Sequence, residues 1–186
     1  MELFPALQIG WLNGWLFMGI LYLIFGILLL VFPKEVVRRL YERSGWSRGQ
    51  RCLVLMGKLM ALVLFPLIIF TPLKIGTPVF VLGTVIFALG LVGFVVALFN
   101  FRNTPLDRPV ERGLYRISRH PQQFTLLVAG VGISIAIGSW LALLMLLLGL
   151  AFTHRKILAE EATCLRQYGA SYRAYMERVP RYFLFF

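Results

Sequence analysis

Residues 113–121 form a polar stretch that interrupts an otherwise apolar second half of the chain. It carries two arginines, Arg116 and Arg119, and the titratable side chain of His120. A second polar cluster, Glu160 and Glu161, follows the next long apolar run. Cationic, acidic and imidazole groups on either side of one run suit the binding of a charged small molecule. We therefore expect the two clusters to close over one site at a membrane surface.

The segment after Phe152 has the periodicity of a helix whose inward face carries polar groups. Glu161 shares that face with His154 and Tyr168, each seven residues away, and with the apolar residues Leu158, Ala162 and Leu165. Glu160 points about a quarter-turn aside. A buried carboxylate is costly unless a partner compensates its charge. The pattern predicts that Glu161 pairs with a residue of the preceding polar stretch: Arg119, Arg116 or His120.

The elements that position these groups are predicted to be membrane-spanning helices. Of 186 residues, 59% are hydrophobic and 15% are charged. A soluble domain of this size cannot bury that many apolar side chains. Apolar runs at 9–32, 52–73 and 79–99 predict three spans. We expect an all-α integral membrane bundle with about five transmembrane helices. The chain is taken as one membrane domain, 1–186, with three spans in 1–99 and the loop, hairpin and C-terminal helix in 100–186.

The apolar run at 124–152 is longer than one ordinary membrane span needs and shorter than two spans usually are. Gly138, Ser139 and Trp140 in its middle favour a tight turn at the interface. The sequence therefore predicts a hairpin with arms at 121–137 and 139–152, beginning with Pro121 at the first helical position. The alternative is one long tilted helix and hence four spans.

The net charge of +11 lies in the loops, as expected for loops that face anionic lipid heads and not for a nucleic-acid binder. With five spans, 17 of the 19 Lys and Arg residues fall on one side. The positive-inside tendency then places the N-terminus outside and the C-terminus in the cytoplasm. The two cysteines, Cys52 and Cys164, are expected to act as small apolar side chains and not to form a disulfide.

The order of the polar motifs resembles a known group of enzymes. Gly113, Tyr115 and the run Arg119-His120-Pro121 precede the hairpin, and Glu160-Glu161 follow it. The tail then carries Tyr168, Tyr172 and Tyr175, followed by Val179-Pro180-Arg181. Over about residues 100–182 this is similar to the superfamily of isoprenylcysteine carboxyl methyltransferases and phospholipid methyltransferases, which are integral membrane enzymes.

The resemblance implies S-adenosylmethionine as cofactor and methyl transfer to a lipid or small lipophilic acceptor. It implies a catalytic set of Arg119, His120 and Glu161, and no metal. The implied cofactor-binding residues are Gly113, Tyr115, Arg119, His120, Pro121, Glu160, Glu161 and Tyr168. Members of the family often carry Tyr where this chain has Gln123, a difference on the acceptor side of the site.

The residue chemistry is compatible with that ligand. Arg119 near a helix start suits the carboxylate of the cofactor, and Glu161 suits its ammonium. A carboxylate acceptor needs no base, whereas an amine acceptor must lose a proton, which His120 or Glu161 can take. The sequence leaves carboxylate, amine and thiol acceptors open, as well as the oligomeric state.

Two other functions remain open from the sequence. A membrane reductase of the sterol type would use NADPH in a broadly similar C-terminal half. A non-enzymatic scaffold would use only its basic loops, to hold anionic membrane lipids. The order of the paired polar clusters favours the enzyme. The tyrosines at 168, 172 and 175 recur at helical spacing, and a purely structural interpretation of them is an interfacial aromatic belt.

Overall fold

The computed structural model describes residues 1–43 and 45–183, and its regular elements in those ranges are helices. This confirms the all-α class. A short 3-10 helix at Gly113–Arg116 precedes the hairpin. The seven α-helices are α1 (Trp15–Val31), α2 (Lys34–Leu40), α3 (Arg48–Phe70), α4 (Pro78–Arg102), α5 (Pro121–Ala136), α6 (Trp140–Tyr168) and α7 (Ala170–Arg178).

Five of these helices are apolar, in the order predicted for an integral membrane protein. By length and composition, α3, α4 and α6 are able to cross a membrane. The other two apolar helices, α1 and α5, are shorter, with 17 and 16 residues. At ~1.5 Å per residue, α5 extends roughly 24 Å, close to the lower limit for a crossing helix.

The predicted hairpin between α5 and α6 is present. The chain reverses at Gly138, whose φ of 68° lies in the left-handed region that glycine adopts without strain. Ser139 then caps α6 by accepting a hydrogen bond from the backbone N–H of Ala142. The alternative of one long helix is therefore wrong. Pro121 occupies the start of α5, as predicted.

The first apolar run differs from its prediction. A span over 9–32 was expected, but helix α1 begins only at Trp15. Asn13 instead donates a hydrogen bond from its side chain to the Gln8 carbonyl, which stabilises a loop. The next residue, Gly14, packs so closely on α3 that a Cβ there would overlap the carbonyl oxygen of Ile68. Local side-chain hydrogen bonding and this close contact outweigh the hydropathy of residues 9–14.

Loops and helix ends gather at two opposite ends of the bundle. At one end the backbone of Glu2 pairs with Gly138, and the Lys74 N–H donates to the Ala136 carbonyl. At the other end Trp46 donates from its indole to the hydroxyl of Thr163, on the last part of α6. This second end holds the start of α5 and the end of α6, and with them the two polar clusters.

Helices α4 and α5 pack with their backbones in close contact. A Cβ at Gly83 would overlap the backbone of Ala136, and one at Gly90 would overlap that of Ala129. Gly132 of α5 approaches Phe87 in the same way. Small residues permit such approach between membrane helices. The pair fixes where α5 begins, and therefore where the first polar cluster lies.

We predict that Gly90→Ala destabilises the protein whereas Gly26→Ala does not. The new methyl at position 90 meets backbone atoms that cannot move aside, an overpacking that costs about 1–3 kcal/mol. At Gly26 the space is open, and alanine improves helix propensity by up to ~1 kcal/mol. Thermal unfolding of both variants in the same detergent measures the difference. Equal midpoints would contradict the close α4–α5 contact.

Candidate active site

The buried carboxylate of Glu161 lies at the centre of the polar end of the hairpin, surrounded by three basic side chains. Its Oε1 is 3.1 Å from Arg119 Nε and 3.3 Å from His120 Nε2. Its Oε2 accepts two hydrogen bonds from Arg181, at 3.1 Å from Nε and 2.8 Å from Nη2. The Arg119 Nε is out of line for a hydrogen bond, so that contact is an ion pair. The predicted pairing of Glu161 with the preceding polar stretch is present.

The C-terminal tail supplies the third basic side chain, Arg181, and holds it in place. The backbone N–H of Arg119 donates to the Pro180 carbonyl at 3.0 Å. The hydroxyl of Ser118 donates to the Arg181 carbonyl at 2.9 Å. Through these two bonds the tail follows the start of α5, and the Arg181 guanidinium reaches α6. Its hydrogen bonds to the carboxylate of Glu161 raise the pKa of Arg181, which is therefore always charged.

His120 lies between the two neighbouring carboxylates of α6. Its Nε2 faces Glu161, while its Nδ1 is 3.7 Å from Glu160 Oε2. Glu160 also accepts a hydrogen bond from Gln123 at 3.2 Å and pairs with Lys156, one turn earlier on α6, at 3.3 Å. The departure from the family pattern at Gln123 therefore places an amide donor on Glu160.

A cavity of about 590 Å³ opens beside this cluster. That volume lies within the range of small-molecule and cofactor sites. Its polar wall includes Arg119, His120, Gln122, Gln123, Lys156, Glu160 and Gln167. Its apolar wall includes Leu21, Tyr22, Phe25, Phe94 and Leu126. A further wall comes from α2 and the residues just after it, positions 35 and 38–43.

The two glutamates therefore occupy different positions with respect to the cavity. Among the described residues that line it, Glu160 is included and Glu161 is not. The Glu161 side chain is only 4% exposed, against 27% for Glu160. The oxygens of Glu161 contact three basic side chains, and its carboxylate lies behind the cavity wall. Of the two glutamates expected to bind a ligand, Glu160 borders the cavity and Glu161 supports the residues that line it.

Four tyrosines also line the cavity: Tyr115, Tyr168, Tyr172 and Tyr175. Tyr172 and Tyr175 are buried, so the expected aromatic belt at the membrane interface is wrong for them. The Tyr175 hydroxyl donates to the Tyr115 carbonyl at 2.7 Å, and the Tyr115 hydroxyl accepts from Gln122 at 2.8 Å. Burial raises the pKa of Tyr115, Tyr172 and Tyr175, so all three hydroxyls remain protonated.

Two residues expected in the site have other positions. Gly113 adopts φ 56°, and the side chain of Asn100 occupies the space that a Cβ would need. Pro121 is buried at the start of α5. Neither is among the described residues that line the cavity. Both shape the backbone that presents Tyr115, Arg119 and His120.

Sequence reasoning did not single out several residues of this site. Arg181 appears in the sequence only as part of the Val179-Pro180-Arg181 motif, and Lys156 carries no motif of its own. Gln122 was not noted, although it follows Pro121 directly. His154, which the periodicity places on the inward face with Glu161, contacts the Tyr182 hydroxyl at 2.7 Å through its Nδ1. A signal was available for Lys156, which lies four residues before Glu160 on one helix face.

Comparison with known families identifies the family of the chain. The sequence model of the phospholipid methyltransferase family matches residues 68–171, more than half of the chain. The chain belongs to the phospholipid methyltransferase family. The match covers α4, the 3-10 helix, α5 and α6, and so includes the arginine-histidine pair and both glutamates. No match to a curated protein or to a solved structure was found. As a family member, the protein is a membrane methyltransferase.

For this methyltransferase we predict that Glu161→Gln lowers the free energy of unfolding by about 3–5 kcal/mol, because it leaves buried Arg119 without its counter-charge. Glu160→Gln is expected to cost less than about 1 kcal/mol, because Glu160 is partly exposed. Chemical unfolding of both variants in one detergent provides the measurement. The account fails if the two substitutions cost the same.

Proposed function

We propose that the protein transfers a methyl group from S-adenosylmethionine to a lipid or small lipophilic acceptor at the cytoplasmic face of a membrane. The observation that carries the proposal is the cavity with Glu160, His120 and Gln123 on one wall and apolar side chains on another. Membership of a methyltransferase family supports the reaction class.

The charges and aromatic rings of the cavity fit the proposed cofactor. S-adenosylmethionine carries an ammonium and a sulfonium, both cationic, and one carboxylate. The carboxylate of Glu160 suits the ammonium. Tyrosine rings suit a sulfonium, since a cation is attracted to the face of an aromatic ring. Lys156 and the arginines of the α2 wall provide positive charge for the carboxylate.

Glu161 and Arg181 have a positioning role in this proposal. By fixing Arg119 and His120, Glu161 orients the imidazole whose other nitrogen faces Glu160. Arg119 and His120 line the cavity and contact its ligand in our assignment. Pro121 and Gly113 act through the backbone.

When bound, S-adenosylmethionine would supply a methyl group attached to a positively charged sulfur. That sulfur is the leaving group and becomes a neutral thioether. The protein has to hold the acceptor atom in line with that methyl, which is a positioning task. His120 accepts a proton when the acceptor is an amine, and no base is needed for a carboxylate.

The apolar wall indicates where the acceptor lies. Leu21 and Phe25 of α1 are half-buried, whereas Tyr22 of α1 and Leu126 of α5 are exposed on the outside of the bundle. An apolar chain is able to reach the cavity along these side chains without leaving a hydrocarbon environment. This supports an acceptor with a lipophilic part, whose reactive group meets the polar wall.

The same charge distribution supports a cytoplasmic site. Basic residues of α2, the 103–120 loop and the tail lie at the end of the bundle that holds the cavity, with Lys74 at the other end. With five crossings the N-terminus would be outside, and the basic end would contact anionic lipids of the cytoplasmic leaflet.

We expect purified protein to bind S-adenosylhomocysteine, the reaction product, saturably in detergent and in bilayers. Glu160→Gln should weaken that binding about tenfold or more, because a hydrogen bond to a charged group contributes roughly 1.5–3 kcal/mol. Calorimetric titration gives both dissociation constants. Glu177→Gln is the matched control, since this carboxylate is exposed on α7 and outside the cavity.

A lack of saturable binding by the wild-type protein, with NADPH binding in its place, would refute the proposed function. Equal weakening by Glu177→Gln would refute the assignment of Glu160. Transfer of label from methyl-labelled cofactor to extracted lipid classes then identifies the acceptor.

A further inference from the structure

Arg39 of α2 makes an unusual set of contacts with the loop that follows α4. Its Nη2 donates to the Arg108 carbonyl at 2.7 Å, and its Nη1 donates to the carbonyls of Pro105 at 3.0 Å and Thr104 at 3.4 Å. One side chain thus binds three backbone carbonyls that are more than 60 positions away in sequence. These carbonyls lie outside regular helix, so no helical N–H is available to them.

The same guanidinium lies near two aromatic rings that line the cavity. It is 5.1 Å from the ring centre of Phe101 and 5.8 Å from that of Tyr168, within the range of a cation–π interaction. The Tyr168 hydroxyl donates to the Leu106 carbonyl at 3.3 Å. Arg39 therefore joins α2, the end of α4, the loop and the end of α6. Arg39, Phe101, Leu106 and Tyr168 are all cavity-lining residues.

Only arginine suits this position. Its planar guanidinium presents five N–H donors in a fixed fork and stacks on aromatic rings, whereas lysine offers a compact charge that cannot span separate carbonyls in the same way. The role of Arg39 is thus distinct from a general attraction of basic residues to lipid heads. Its neighbour Lys34, on the same short helix, is exposed and lies outside the cavity lining.

We propose that Arg39 is a positioning residue of the active site, which fastens α2 and the loop at 104–108 around the cavity. The family match begins at residue 68, so Arg39 and the rest of the α2 wall lie outside it. The site is therefore completed by a segment that the family pattern does not include. The part of this inference that concerns ligand affinity rests on the proposed function.

The test compares Arg39→Ala and Arg39→Lys with Lys34→Ala, which removes the same charge from the same helix. Amide hydrogen exchange at residues 104, 106, 107 and 108 is measured without ligand. Affinity for S-adenosylhomocysteine is measured by titration, at a temperature where circular dichroism shows every variant fully helical. Arg39→Ala should accelerate exchange and raise the dissociation constant, each by about tenfold. Lys34→Ala should change neither by more than about twofold.

The lysine variant separates geometry from charge. Arg39→Lys keeps the charge but loses the fork, so we expect it to remain closer to Arg39→Ala than to the wild type in both measurements. Wild-type behaviour of Arg39→Lys, or equal effects of Arg39→Ala and Lys34→Ala, would overturn the proposal. If the wild-type protein fails to bind the ligand while Arg39→Ala still accelerates exchange, the cofactor proposal fails and the fastening role of Arg39 stands.

Discussion

The burial of one carboxylate, Glu161, constrains the polar end of this membrane protein. A charge withdrawn from water is tolerated only where partners compensate it. Here those partners come from two separate segments: Arg119 and His120 directly before α5, and Arg181 in the tail. The hairpin turn at the far end brings the two helix ends to one side, but the ion cluster determines how they face each other. The segments around it are therefore joined by charge pairing in addition to apolar packing.

This arrangement divides the work between two adjacent glutamates. Neighbours on a helix point about 100° apart, so one side chain can be enclosed while the next faces a cavity. Glu161 holds Arg119, His120 and Arg181, and Glu160 presents a partly exposed carboxylate to a cavity bordered by tyrosines. His120 contacts both. In the proposed function, this arrangement provides a charged group for the polar ligand beside a wall that apolar chains can reach. We regard the enclosed glutamate as the support for the exposed one.

Much of this arrangement follows from local sequence signals. Gly138 marks the hairpin because only glycine enters the required turn at little cost, and the seven-residue spacing around Glu161 identifies its inward face. Other features depend on contacts that a single sequence does not show. Whether Glu160 or Glu161 borders the cavity depends on the basic side chains that surround each, and one of them, Arg181, comes from the distant tail. The late start of α1 reflects the packing of Gly14 on α3, which opposes the hydropathy of the run.

An experimental structure of the protein with S-adenosylhomocysteine bound in a lipid bilayer would test this account most directly. The account predicts ligand density in the cavity beside α2, with its amino group near Glu160, while Glu161 keeps its contacts with Arg119, His120 and Arg181. Density against Glu161 with Arg181 displaced, or ligand bound outside this cavity, would contradict it.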